Sequence, residues 1–292
     1  DDPPQIITDT LPKLANMLRM LRLGDGGLTC AQGGSEGSAA SIDSVLARVS
    51  GEARSIQYAT QSGFQRIEAG GLRVLFDVGA APPLSYAERA HAGALSFEIS
   101  SDNERLIVNI GAARELSPAA RLAARATNGH STLVLADALS ATLEDRRGAA
   151  RLSGPTLDDV RRSADESGVT VQGRHDGYKE KFGLLHRRYL FVDVEGKNVR
   201  GIDELIRPMK LKATPAKKPI PFVARFHLHP NVRTRLAEHQ VALLETPGGQ
   251  RWRLRTDAPE IAIEPSIYWG GREPRESMQI VLSGEADQMG HG

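Results

Sequence analysis

The chain is short of cysteine, of net charge and of long apolar runs, and each shortage excludes a class of protein. A single cysteine, Cys30, among 292 residues rules out an internal disulfide and is too little for a thiolate zinc site. Lys and Arg number 37 against 36 Asp and Glu. The two signs are scattered, with no basic stripe interleaved with aromatics, so nothing marks a nucleic-acid binder held by phosphate contacts. The locally basic "KLKATPAKKP", Lys210 to Pro219, reads as a solvated loop. No apolar run approaches the roughly 20 residues of a membrane-crossing helix, so no transmembrane segment is expected. The opening "DDPPQIITD" has neither the basic end nor the apolar core of a signal peptide, and a chain that begins at Asp1 reads as a processed or truncated product. There is no repeat of fixed period. The glycine-rich "GDGGLTCAQGGSEGSAAS" lacks the Lys-Ser/Thr ending and the preceding strand of a phosphate loop.

What is present changes character along the chain. In "TLPKLANMLRMLRLGDGG", Leu11, Leu14, Leu18 and Leu21 recur at helical spacing. Thr10 is the expected cap, Pro12 the first-turn residue and Gly24 the left-handed exit. A second helix is expected in "SIDSVLARVSG", stopping at Gly51. Two short amphipathic helices close no core, so their apolar faces must lie on something else. From Gly63 the period becomes two. "GFQRIEA", "LRVLFDVG", "ALSFEIS", "RLIVNIG", "STLVLAD", "VTVQGRH", "RRYLFVDV", "FVARFHLH", "VALLET", "QRWRLRT", "EIAIEPSI" and "SMQIVLSG" read as strands. Hairpin turns are expected at "EAGGLR", "VEGKNVRG" and "TPGGQR". The one helical interruption is "SPAARLAARAT", capped by Ser117 with Pro118 at its first position. So many strands with so few helices between them exclude a parallel α/β sheet and predict a large antiparallel β-sandwich.

Several polar residues interrupt these runs. His91 precedes one strand, Asn109 breaks the apolar "LIVNIG", and His130 stands at the mouth of "STLVLAD". Neighbouring antiparallel strands can bring the three together, and two imidazoles with an oxygen donor suit zinc. Taken singly, each reads as a hydrogen-bonded structural residue. In "RFHLHP", His227 and His229 are two apart and share a strand face, and Pro230 places the pair at a sheet edge. "RHDGYKEKFGLLHRRYL" gathers His175, Asp176, Tyr178, His186, Arg187 and Arg188. That group reads either as an anionic-sugar site built on Arg forks or as the polar outer face of a hairpin. Tyr268 and Trp269 offer a stacking platform or a closure of the sandwich edge.

With those residues in view, the chain resembles the heparinase II/III-like polysaccharide lyases. "GDGGLTCAQGGSEG", "SGFQRIEAGGLRVLFDVGAAPP", "AHAGALSFEIS", "LIVNIGAA", "RATNGHSTLVLAD", "HDGYKEKFGLLHRR" and "RFHLHP" occur in the family's order. The resemblance implies the end of an α/α toroid over residues 1–55 and the family's antiparallel supersandwich over residues 56–292. It implies β-elimination on a uronate-containing acidic polysaccharide or oligosaccharide, in the periplasm, the cell envelope or outside the cell. It further implies zinc held by His91, Asn109 and His130, with Asn109 where the family pattern has Asp. Arg89 falls where that pattern often has a further His, and can neutralise a uronate carboxylate. The family's main base is expected upstream of residue 1, which leaves Arg89, His227 and His229 as catalytic candidates within the chain. Arg89, Tyr178, Arg187 and Tyr268 are the substrate-binding candidates. The competing expectation is a non-catalytic module that binds acidic carbohydrate or serves as a structural sandwich.

Overall fold

The computed structural model describes residues 3–49, 53, 56–113, 116–146, 149–208 and 219–286. The basic segment from Lys210 lies outside them, apart from Pro219, and so does the expected helix stop at Gly51. The helical part comprises α1 (Gln5–Met20) and α2 (Ala39–Arg48). The strands begin with β1 (Phe64–Ala69), β2 (Leu72–Asp77), β3 (Phe97–Ser101) and β4 (Glu104–Val108). After α3 (Pro118–Arg125) come β5 (Leu133–Leu135), β6 (Thr142–Arg146), β7 (Ala149–Ser153), β8 (Leu157–Asp165) and β9 (Gly168–His175). After the single turn α4 (Lys179–Phe182) come β10 (Leu185–Asp193), β11 (Val199–Ile206), β12 (Ile220–Leu228), β13 (Arg233–Ala237) and β14 (Val241–Glu245). The chain then forms β15 (Arg251–Arg255), β16 (Glu260–Tyr268) and β17 (Arg275–Ala286).

These strands make a mainly antiparallel sandwich. The large sheet runs β1-β2-β3-β4-β12-β17-β16, with β5 also paired to β12. A second sheet runs β11-β10-β9-β8, a third β13-β14-β15, and β6-β7 is a separate hairpin. Phe76, Leu95 and Ile280 from the large sheet and its approaches, Val171 and Leu190 from the second, and Ala242 and Leu244 from the third share one core. Full burial of a Leu, Ile or Phe side chain stabilises by about 1.5–3 kcal/mol, so this layer is what fixes the two larger sheets face to face. The other face of the large sheet is covered as well. Met20 and Leu23, at the end of α1 and just beyond it, pack with Phe64 and Leu75. Every residue of β3 is consequently buried.

All the strands expected from period-two runs are present. Those the pattern missed are β6, β7, β8, β11 and β13, whose sequences carry charges on one or both faces. The expected helix starts are borne out at α3, where Ser117 Oγ accepts from Ala120 N at 3.2 Å, and not at α1. There the helix starts at Gln5 with Pro12 inside it, because the apolar spacing of Ile7, Leu11, Leu14 and Leu18 runs through the proline. Gly24 is not a left-handed exit either; a Cβ on it would stand 1.7 Å from the Asp102 carbonyl oxygen, so the residue is a close-approach glycine. The "FHLH" strand is also not an edge: β12 lies between β4 and β17, and it ends at Leu228, before His229 and Pro230.

Candidate functional site

The ends of β4 and β12 and the approaches to β3 and β5 meet beneath the loop between α1 and α2. His91 follows a short helical turn, Leu84–Arg89, and His130 follows another, Thr127–Gly129. His130 Nδ1 lies 2.8 Å from the Ala126 carbonyl, so that nitrogen carries the proton. Its Nε2 then faces His91 Nδ1 at 3.2 Å, with the rings edge to face. Both rings are buried. Burial pushes His130 down to about 4.

Asn109, just past β4, is held from two sides. Its Oδ1 accepts from Ser131 N at 2.9 Å, and its Nδ2 donates to Glu98 Oε1 at 3.0 Å. The same Glu98 oxygen accepts from Cys30 N at 2.9 Å and more weakly from Asn109 N at 3.3 Å. Glu98 Oε2 is buried without a hydrogen bond, 4.0 Å from Arg105 Nη1. Burial drives the Glu98 carboxyl up to about 7, partly opposed by the Arg105 charge. His227 completes the floor: its Nδ1 and Nε2 lie 2.9 Å from Ser266 Oγ and 3.0 Å from the Asn128 carbonyl. Burial lowers it to about 3.

A second carboxylate, Glu36, reaches in from the glycine-rich loop. Tyr268 donates to its Oε1 at 2.6 Å. His229 Nε2 lies 3.2 Å from the same oxygen, while His229 Nδ1 accepts from Asn231 N at 3.3 Å. Burial would raise Glu36, but the His229 hydrogen bond, the Arg105 charge and Tyr268 together bring it to about 2. The glycine-rich loop, empty of phosphate chemistry in the sequence, therefore delivers an anion that clamps His229 and Tyr268. Neither Glu36 nor Glu98 was singled out from the sequence. The alternation of "ALSFEIS" placed Glu98 on the face opposite Phe97, and only the cover from α1 and its loop shows that this face is buried too.

The remaining expected site residues fall elsewhere. Arg89 is exposed at the rim, and its carbonyl oxygen lies against Gly33. Tyr178, expected to face sugar, is buried and donates to the Leu133 carbonyl at 2.7 Å. Tyr268, expected to stack on sugar, is buried with its hydroxyl on Glu36. Arg187 lies on the outer side of the second sheet, 3.5 Å from Asp159 and 3.4 Å from Glu204. Arg188 points the opposite way and crosses the sandwich. Its Nη1 donates to the Leu95 and Ser131 carbonyls at 2.9 and 2.8 Å, and its Nε and Nη2 form a fork on Asp203. His186 Nε2 is 2.7 Å from Asp203 Oδ1, and His186 Nδ1 is 3.0 Å from His175 Nε2. Of the "RHDGYKEKFGLLHRRYL" cluster, His175, His186 and Arg188 thus form an internal strut between sheets with Asp203, Tyr178 is buried beside them, and Arg187 faces outward.

His91 Nδ1 and His130 Nε2 have the spacing of two ligands on one ion, but the third expected donor is a neutral amide whose oxygen is taken by Ser131 and whose nitrogen is taken by Glu98. Among the described residues no three His, Cys, Asp or Glu side chains gather around a common point. Structural and catalytic zinc sites are built from at least three protein ligands, so the residues present do not complete a zinc site on His91, Asn109 and His130.

A family model for the heparinase II/III-like C-terminal region matches residues 52–291. The chain belongs to this family. Over 97% of its length it superposes on a solved heparinase III with a TM-score of 0.73 and 16% identity, covering 45% of that chain. The heparan sulfate lyase HepC of Pedobacter heparinus gives a TM-score of 0.72 at 14% identity, over 97% of this chain and 45% of that one. Identities this low show a shared fold. In sequence, the chain is 32% identical over 291 residues to FtsZ-localized protein C of Caulobacter vibrioides, covering 97% of this chain and 50% of that protein. The chain spans about half the length of the proteins it matches. Among the described residues no helix is long and apolar enough to cross a membrane.

Proposed function

We propose that this heparinase-like sandwich engages an acidic polysaccharide without supplying the proton-transfer groups of β-elimination. The observation that carries this reading is the fate of the six interior imidazoles; His239, on the turn between β13 and β14, is exposed. His91, His130, His175, His186, His227 and His229 are all buried, and each ring has a polar partner within the chain. A general base needs a free lone pair within reach of a substrate proton and an affinity for protons near the working pH; His130 and His227, at about 4 and about 3, have neither. The glycan is met instead by the cationic rim. Arg89 and Arg121 are exposed on two segments stitched together by Arg125, whose Nε donates to the Ala90 carbonyl at 2.9 Å.

A second reading is favoured by the fold shared with heparan sulfate lyase. In it the longer protein performs the elimination with a base from outside these residues, and this chain forms one wall of the cleft. Family likeness to such lyases supports a periplasmic, envelope or secreted location, whereas the relative with 32% identity carries FtsZ localisation in its name. A fluorescent fusion of the longer protein, seen either in a band at mid-cell or outside the cytoplasm, separates the two locations.

The functional test sets this chain and the longer protein against a panel of acidic glycans, following both binding and unsaturated-uronide absorbance. The chain is expected to bind saturably and yield no product, with Arg89→Ala weakening binding about tenfold, as for loss of one hydrogen bond to a charged group. Product from the longer protein alone establishes the second reading. Product from this chain by itself overturns the first.

A further inference from the structure

The second sheet turns two aromatic rings outward. Along β10, Arg188, Leu190 and Val192 are buried against the sandwich, so the alternate residues Arg187, Tyr189 and Phe191 point away from it. The strand pairings set Gln172 and Ile202 on either side of Tyr189, and Thr170 and Arg200 on either side of Phe191. A guanidinium lies against each ring. Arg187 stands 5.7 Å from the centre of Tyr189, with Nη1 donating to its hydroxyl at 2.7 Å, and Arg200 stands 5.8 Å from the centre of Phe191. Gln172 Nε2 donates to the Asp159 carbonyl at 3.2 Å, which fixes that amide beside Tyr189. β8 is bulged at this point: its register shifts between Asp158 and Arg161, and Asp159 has a φ of 51°. A left-handed aspartate inside a strand is uncommon, and a bulge re-aims the side chain it carries. Here it sets the Asp159 carboxylate on the outer face, 2.8 Å from Arg161 and 3.5 Å from Arg187.

The charges on this face almost cancel. Arg174 is forked on Asp158 at 2.7 and 2.9 Å, Arg161 and Arg187 share Asp159, and Glu204 lies 3.4 Å from Arg187. Among the described residues, Arg200 alone of these four arginines has no carboxylate within ion-pair distance. Four guanidinium groups against three carboxylates leave one net positive charge, so a polyanion is not the complement of this face. An uncharged sugar chain is. Its rings offer C–H groups that lie on an aromatic face, and its hydroxyls both donate and accept, which matches guanidinium, carboxylate and amide side chains set around two rings. Tyr189 and Phe191 are about 7 Å apart along β10, in line for successive units of one chain. We propose that the outer face of β8-β9-β10-β11 binds an uncharged polysaccharide, stacking its rings on Tyr189 and Phe191 and holding its hydroxyls with Arg200, Gln172 and Asp159. This site goes beyond the acidic-glycan rim of Arg89 and Arg121 and stands independently of it.

Native electrophoresis of the chain through gels containing hydroxyethyl cellulose, arabinoxylan or galactomannan tests this, beside a gel containing heparin. At least one uncharged polymer is expected to retard the chain, and added salt is expected to leave that retardation unchanged, because no screened charge pair carries it. Tyr189→Ala and Phe191→Ala should each weaken binding about tenfold through the lost stacking. Arg200→Gln should weaken it about tenfold through a lost hydrogen bond from a charged group. Arg253→Gln, exposed on β15 in the third sheet, should change nothing. Circular dichroism verifies that each variant is folded. Mobility that none of the three uncharged polymers alters overturns the proposal, as does retardation that folded Tyr189→Ala/Phe191→Ala and Arg200→Gln both keep. Retardation by heparin alone, abolished by salt and by Arg200→Gln, also overturns it and assigns the face to a polyanion. A chain that binds no uncharged polymer but self-associates in sedimentation, with the double variant monomeric, overturns it as well and makes the face a contact between copies.

Discussion

Replacing Arg188 by alanine is expected to destabilise the fold by about 3–5 kcal/mol, the range for removing one partner of a buried ion pair. The guanidinium is essentially inaccessible and makes bonds in three directions: to Asp203 within the second sheet, to the Leu95 carbonyl before β3, and to the Ser131 carbonyl before β5. Truncation leaves an uncompensated carboxylate and two carbonyls without their donor. Burial would raise the Asp203 carboxyl, but the Arg188 charge and the His186 hydrogen bond hold it far below the usual carboxylate range. His186 and His175 are depressed, first of all by burial. A carboxylate with a lowered affinity for protons contributes stability above its unfolded value, about 3.9, and loses it as pH falls further. Histidines held neutral lose stability as pH falls below about 6.5, where the unfolded chain takes up protons first. The strut therefore weakens on acidification from both sources. Urea melts of Arg188→Ala beside Arg188→Met/Asp203→Leu measure this. The double variant should recover part of the loss, because both charges then leave the interior together. A single variant as stable as the parent would show that the strut holds nothing.

Replacing Glu98 by glutamine should act in the opposite direction on the pH scale. Glu98 sits at about 7 in the folded chain against about 4.3 when unfolded. A raised carboxyl contributes stability that is complete below the unfolded value and is lost as pH rises through the folded one. Between pH 5 and pH 8 the parent is therefore expected to lose about 2 kcal/mol through this group alone. Asp77, raised by burial to about 6, adds a decline of the same sign. Glutamine keeps an acceptor for Cys30 N and the Asn109 amide but has no proton to lose. The stability difference between variant and parent should thus grow by about 2 kcal/mol in the variant's favour from pH 5 to pH 8, read from melts at the two values. A difference that does not change with pH would contradict this, meaning that Glu98 does not change its protonation between the two values.

The sandwich was legible because period two is a local property. Each of the expected strands announces itself in six to eight residues, and turns such as Gly70-Gly71 complete the hairpin, here pairing Ala69 with Leu72. A strand with charge on both faces, such as β8, carries no such signal, and β13 has Leu236 as its one large apolar residue. The site was legible as a set of residue types and illegible as a set of partners. His91, Asn109 and His130 do converge, yet what closes on them is Glu98, which is covered by the loop after α1, where its partner Cys30 lies 68 residues away in sequence. Tyr268 reads equally as a stacking platform or an edge closure, and Tyr178 as part of a sugar site, because sequence alone does not show what a hydroxyl meets; in the fold they meet Glu36 and Leu133 O. The exposed arginines that β13 and β15 place on one face, Arg233, Arg235, Arg251, Arg253 and Arg255, were hidden for the same reason. "RTRLA" and "QRWRLRT" are unremarkable runs until β14 pairs them side by side.

The account rests on His91, His130, Asn109 and Glu98 closing the site with their own hydrogen bonds. Elemental analysis of the chain, purified with zinc offered and then dialysed, tests this most directly beside His91→Ala and His130→Ala. The expected result is far less than one zinc per chain in all three samples, with a melting temperature that chelator does not move. One zinc per chain, lost in both variants, would contradict it and make the histidine pair a metal centre.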